Sequence, residues 1–435
     1  MDFRPWASPW GERDARSMMQ FRHIHTLPGC LVVAIALTAC SSGSTAAKPT
    51  STTRSPRTTS TTTTTPRPEG WATVPNAPSQ LGKYAVWTGT EYIGGPAGCC
   101  DGLGGTEVVA YTPSSNTWRS LPAFPLSSRS SEVTAWTGHE MVVVGGRQAA
   151  SAADTTQSSS VPSASGAALD PATNTWRTIA SMPAPMASPI AAVWTGREVV
   201  VFDDTHTYRY RPATDQWRIG AAPPFARNGV VVVSTGHQIL VWGGSDPQPP
   251  EAVSPPLVVH ADGASYDPAT DVWRKIPSAP VPARADSKGV WTGQRMIVWG
   301  GVASSGTTNG RFEAGLVGKG ASYDPVTRTW QALPASPLKA RSGHQMVWTG
   351  HEVVVWGGSN PSSSLDPLAG YPRDGAAYDP ATNQWRRLPA APASPPALLT
   401  ADSAVWTGDL ALFLGGDTVN AQGVGPLGLS YAPGR

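Results

Sequence analysis

The residues best equipped to recognise a ligand are four arginines, Arg129, Arg227, Arg284 and Arg341, which fall at equivalent positions of a repeated segment. A guanidinium grips a carboxylate or sulfate through two parallel hydrogen bonds, so four of them converging on one mouth would suit an anionic small molecule or an acidic peptide. The same arginines would serve the repeat itself if each tied its own loop to a backbone carbonyl, and both roles stay open. Asp203, Asp204 and His206 form a second polar group in a short connection, able to reach the same mouth or to do plain turn chemistry. Cys99 and Cys100 are adjacent, which leaves a strained vicinal disulfide or two separate thiols.

Acid–base and metal chemistry has fewer candidates. Of the eight histidines, His23 and His25 precede an apolar leader and His139, His237 and His351 lie in tight turns, leaving His206, His260 and His344. There is no nucleophile elbow, phosphate loop or zinc-type spacing, so no cofactor and no metal is expected.

These residues are positioned by a repeat. Trp87-Thr88-Gly89 recurs at Trp136, Trp194, Ser234, Trp291, Trp348 and Trp406, with gaps of 49, 58, 40, 57, 57 and 58 residues. Each copy has an apolar run on either side, and its Gly supplies the positive φ of a tight hairpin turn. The second runs, such as Val199-Val200-Val201-Phe202, are apolar at consecutive positions, as in strands buried on both faces. An answering hairpin follows: in Ser265-Tyr266-Asp267-Pro268-Ala269-Thr270-Asp271-Val272-Trp273, Asp and Pro open the turn and an aromatic starts the return strand.

That Trp recurs at 118, 176, 217, 273, 330 and 385, one short of the seven first hairpins. The missing copy is at the front, in Gly70-Trp71-Ala72-Thr73-Val74, which is expected to complete the last blade and close the ring. The fold class is therefore all-β, a seven-bladed propeller over residues 70–435. Within a four-stranded antiparallel blade, the first-to-second and third-to-fourth turns share one face, here short and uniform. The other face gathers the long connections Ser245 to Gly263, Val302 to Gly320 and Ser359 to Gly375, and function is expected there.

At 435 residues with a charged fraction of 14% and a net charge of +2, the chain has no nucleic-acid footprint. Residues 41–69 are nearly all Ser, Thr, Pro and small residues, a solvated stalk spanning roughly 30 Å as a flexible chain. Residues 1–40 read as a signal peptide: arginines precede Cys30-Leu31-Val32-Val33-Ala34-Ile35-Ala36-Leu37, a run too short to span a bilayer permanently.

Two resemblances add to this reading. Leu37-Thr38-Ala39-Cys40 resembles the bacterial lipobox, which implies a lipid on Cys40 and anchoring at the outer face of the cell membrane; the propeller itself is expected to be a monomer. Tyr378-Asp379-Pro380-Ala381-Thr382-Asn383-Gln384-Trp385, Gly357-Gly358 and Arg341-Ser342-Gly343-His344 resemble Kelch repeats of galactose-oxidase-like propellers. That resemblance implies a binding propeller for a glycan, an anionic small molecule or a protein, or else a carbohydrate-processing enzyme of the epimerase or oxidase kind. The repeats depart from it where Asp203-Asp204 replace Gly-Gly and Ser234 replaces Trp. Replacing Cys40 by Ser is expected to move the protein from the membrane fraction into the medium; a variant still membrane-bound after normal processing would remove the lipid from the picture.

Overall fold

The computed structural model describes residues 68–434 apart from 80, 82–84, 96–104, 150–159, 248–256, 309–310, 361–371, 393–402 and 416–427. Cys40, Cys99, Cys100, the leader and the stalk up to residue 67 lie outside the described residues.

The described residues form seven four-stranded antiparallel sheets. One sheet shows the plan: Asn228–Ser234, Ile239–Ser245, Gly263–Asp267 and Val272–Ile276 follow one another outward in chain order. The first strands are Ala85–Trp87, Val133–Trp136, Ala191–Trp194, Asn228–Ser234, Lys288–Trp291, Gln345–Trp348 and Ser403–Trp406, and each touches the next, the last returning to the first. We number the blades I to VII in that order. Second strands are the driest: Val353–Trp356 of blade VI is buried at all four positions, with the faces of blades VII and V closing over it. Outer strands carry the cations, as in Gln216–Gly220 with Arg218 and Gln384–Arg387 with Arg386 and Arg387, which blunts an otherwise open edge.

Both turn signatures have a local cause. In Trp-Thr-Gly hairpins the Thr hydroxyl oxygen accepts the N–H three residues on, as at Thr349 from Glu352 (3.0 Å), while Gly350 sits at a φ of 93°. In the answering turn the Asp carboxylate accepts the N–H two residues on, as Asp379 does from Ala381 at 2.8 Å. Asn383 takes a left-handed φ of 56°, and the Tyr378 hydroxyl donates to its side chain at 2.8 Å. Tyr-Asp-Pro-Ala-Thr-Asn-x-Trp is therefore one hydrogen-bonded unit.

The final Trp of that unit joins neighbouring blades. The Trp71, Trp118, Trp176, Trp217, Trp273, Trp330 and Trp385 indole N–H groups donate to Pro389, Pro75, Pro122, Ala180, Ala221, Pro277 and Pro334 carbonyls, at 2.7 to 3.2 Å. Every acceptor stands just past the outer strand of the preceding blade, so the seven bonds run once around the ring.

Closure follows the expected register. Gly70–Val74 lies antiparallel to Gly428–Ala432, pairing Trp71 with Tyr431 and Val74 with Gly428. Trp71 packs against Trp356, Phe413 and Tyr431, the last with ring centroids 4.9 Å apart. Glu69 fastens the start of the strand, accepting from Arg386 at 2.5 Å and from the Tyr431 hydroxyl. A chain beginning at Glu69 should melt cooperatively, whereas one beginning at Ser79 should aggregate or melt on the order of 10 °C or more lower. Equal melting curves would show that the strand is dispensable.

Candidate functional site

The two ends of the ring differ in build. One carries the tight turns described above. The other carries a ribbon, Val302–Thr308 with Arg311–Leu316, rising from blade V, and a small sheet of Arg147–Ala149, Ser160–Pro162 and Arg129–Ser130 on blade II. On blade IV the same end holds a bridge between Ser245 and Val259, beside which His260 Nε2 meets Asp246 Oδ1 at 2.6 Å.

The four candidate arginines enter this end just before the first strands, but they do not form an open ring. Arg129, Arg284 and Arg341 are 1%, 0% and 0% exposed, and each spends Nη1 on backbone carbonyls of its own blade. Nη1 reaches the first Gly carbonyl of each Gly-Gly pair, Gly145, Gly243, Gly300 and Gly357, and then the carbonyl of the residue before the third strand, Ser165, Asp262, Lys319 and Asp374. This is the loop-tying role of the two the sequence allows. Burial lowers Arg129 and Arg284 to about 10, Glu132 opposing the shift at Arg129.

The Gly-Gly pair is fixed by the same packing. A Cβ on Gly301 would come within 2.5 Å of the Ala285 carbonyl, and its φ of 102° excludes most side chains. In blade III Asp203-Asp204 replace Gly-Gly and Ala187 stands in the arginine's position, seven residues before Trp194, whereas blade VII keeps Gly415-Gly416 with Leu399 at that position.

Asp203 and His206 close a short turn. The Asp203 carboxylate accepts from the Thr205 and His206 N–H groups at 2.8 and 2.6 Å, and the His206 ring stacks on Tyr208 with centroids 5.7 Å apart. Asp204 lies in the same turn, half-buried. Turn chemistry accounts for the Asp203 and His206 contacts.

Three titratable groups stand where the first strands begin: His344, among the histidines noted in the sequence, and Glu132 and Asp286, which were not. Glu132 and His344 are both 0% exposed and each lies three residues after a buried arginine, a register that comparing blades would have revealed. The Glu132 carboxylate has no hydrogen-bond partner, and burial raises it to about 8, against the pull of Arg129. His344 packs edge-on against Trp299 with centroids 5.0 Å apart, its ring over Gly300 of the neighbouring blade. Burial, then Lys288 and Arg341, hold it well below the usual imidazole range; the Trp299 carbonyl opposes this weakly without completing a hydrogen bond. Asp286, at a left-handed φ of 53°, is raised by burial, with Lys288 opposing. Burial favours the uncharged form of all three, and among the described residues no three of His, Cys, Asp and Glu come together at metal-binding distance.

A Kelch-repeats domain family, described by KLHDC2, KLHL20 and DRC7, matches residues 229–423. Kelch-like protein 35 of Mus musculus is 27% identical over 41% of this chain and 28% of its own length. Kelch-like protein terF of Aspergillus terreus is 25% identical over 57% of this chain and 54% of its own length. The chain thus spans about half or less of these relatives. Among solved structures, YjhT superposes with a TM-score of 0.51 at 15% identity, covering 73% of this chain and 99% of YjhT. A copper-bound fungal alcohol oxidase gives 0.58 at 12% identity, covering 84% and 77%. At such identities the likeness is one of fold.

The pH dependence of stability separates the two buried groups. Because the folded pKa of Glu132 is raised, its contribution is complete below about 4.5 and is lost as pH rises toward about 8, on the order of 3 kcal/mol by pH 7. For His344, whose folded pKa is depressed, stability falls instead as pH drops below about 6.5. Glu132→Gln should melt above the parent at pH 8 and close to it at pH 5; parallel pH curves for the two would exclude a buried, unpaired Glu132. Repeat grammar, sheet order and the likenesses to known proteins agree: the chain folds as a β-propeller similar to those of Kelch-repeat proteins.

Proposed function

We propose that this chain is an extracytoplasmic, lipid-anchored propeller that binds a ligand or protein partner on its long-loop face. One observation carries the reading: the tether and the elaborated loops occupy opposite ends of the ring. Gly70 pairs with Ala432, at the end of the last blade where the tight turns lie, so the stalk joins the propeller on the plain face. The plain-face junction is also fastened, Glu69 being held by Arg386 of blade VI and Tyr431 of blade VII. With Cys40 in a membrane, the ribbon of blade V and the loops of blades II and IV would face outward, toward soluble glycans, small anions or proteins. The propeller acts as a monomer in this reading, since the closing strand completes the last blade and the cations of the outer strands blunt the edges that remain.

An enzymatic alternative draws on Glu132, Asp286 and His344, whose shifted proton affinities suit acid–base work on a carbohydrate at the central mouth. Binding is preferred because these groups begin different blades and Glu132 and His344 are fully enclosed.

Orientation is testable on the membrane-bound full chain carrying Cys99→Ser and Cys100→Ser. A cysteine replacing Val258, 52% exposed on the long-loop face, should react several-fold faster with a bulky impermeant maleimide than one replacing Val326, 89% exposed on the plain face. Equal rates, or the reverse order, would overturn the outward-facing arrangement. A glycan and metabolite screen on the same protein tests the ligand half, and no hit in it, together with turnover of a sugar, would favour the enzyme.

A further inference from the structure

Comparing the four arginine-bearing blades position by position exposes one that is incomplete. In each, Nη1 is used in the same way, so the difference lies at Nη2. In blade II, Arg129 Nη2 donates to Ser165 Oγ at 3.1 Å. In blade IV, Arg227 Nη2 lies 2.8 Å from Asp262 Oδ1, and in blade VI, Arg341 Nη2 lies 2.8 Å from Asp374 Oδ1, an ion pair without an aligned hydrogen bond. The acceptor always comes from the residue before the third strand.

Blade V has Lys319 at that position. Arg284 Nε donates to Pro282 and Nη1 to Gly300 and Lys319 carbonyls, at 2.8, 3.1 and 2.6 Å, but Nη2 has no partner although the residue is 0% exposed. An unsatisfied buried donor on a charged group is among the costlier defects a fold can carry, and here an exchange from acceptor to cation creates it. No carboxylate contributes to the proton affinity of Arg284, which burial alone shifts.

We infer that blade V holds a small oxyanion, a carboxylate or a sulfate, between Arg284 Nη2 and the Lys319 ammonium, in the place that a side-chain acceptor fills in blades II, IV and VI. The anion restores the missing acceptor and balances two positive charges whose counterparts in blades IV and VI are an arginine with an aspartate. The site lies where the blade V ribbon rejoins its sheet, Val317 N–H donating to the Gly301 carbonyl at 2.9 Å, and Lys319 is exposed to solvent. Ligand and site therefore share the long-loop face proposed above. The inference does not require the lipid anchor or the outward orientation, because its test is made in solution.

The probe is inorganic sulfate, titrated calorimetrically into the purified full chain at constant ionic strength, with acetate as the carboxylate arm. The parent should bind one equivalent saturably, and its melting temperature should rise with sulfate beyond the general salting effect. Lys319→Asp, which installs the acceptor of blades IV and VI, should weaken sulfate at least about tenfold and melt higher than the parent in its absence. Lys319→Met, keeping the length without the charge, should weaken sulfate while the fold persists. No saturable binding by the parent, as when an ordered water alone completes Nη2, overturns the inference, and so does equal sulfate binding by the parent and Lys319→Asp. Acetate competing with sulfate would identify a carboxylate as the natural class, and sulfate binding without acetate competition a sulfate.

Discussion

The ring depends on one repeated hydrogen bond, from the outer-strand indole N–H of each blade to a carbonyl at the exit of the blade before it. A blade of four antiparallel strands satisfies its own backbone but has no intrinsic reason to stand at a fixed angle to its neighbour. The indole supplies that reason, because its large apolar body fills the wedge between sheets while its single donor names one carbonyl on the other side. Proline occupies five of the seven acceptor positions, Pro75, Pro122, Pro277, Pro334 and Pro389, which stiffens the exit and keeps the carbonyl aimed.

A second set of contacts reinforces the plain face. The Glu of the Trp-Thr-Gly hairpin pairs with an outer-strand Arg of its own blade, as Glu140 does with Arg177 and Glu352 with Arg386, each at 2.7 Å. The arginine then reaches onward, Arg177 to the Tyr210 hydroxyl and Arg386 to that of Tyr431. In blade III, Glu198 is nearly buried and serves Arg209, Arg211 and Arg218 together. These pairs occupy the side chains of the plain face in holding the ring, so variation concentrates at the opposite end.

Much of this was legible because repetition multiplies weak signals. A single Asp-Pro-Ala-Thr-Asn turn says little, whereas its recurrence at fixed distance from Trp predicts strand order, closure by Trp71 and the division into faces. The role of the arginine repeated in four blades stays open in the sequence between ligand and loop, because its Nη1 contact is to a Gly carbonyl 16 residues on, which no local pattern displays. The informative positions are those where the repeat breaks. Glu132, Ser287 and His344 occupy one register and differ in chemistry, and Lys319 replaces an acceptor. Which partner a buried group meets across a blade interface depends on packing between segments far apart in sequence, and no local pattern carries that.

The closing strand also has a mechanical character. Its five residues lead from the plain end, where Gly70 meets Ala432, toward the end that carries the long loops, where Val74 meets Gly428. If a bound partner is pulled away from the surface to which the stalk leads, tension acts along the strand rather than across it. The rungs between Gly70–Val74 and Gly428–Ala432 then share the load in shear instead of opening one at a time, and the Glu69 clasp takes the first strain. The seam where the circle is joined is the place where it is best loaded.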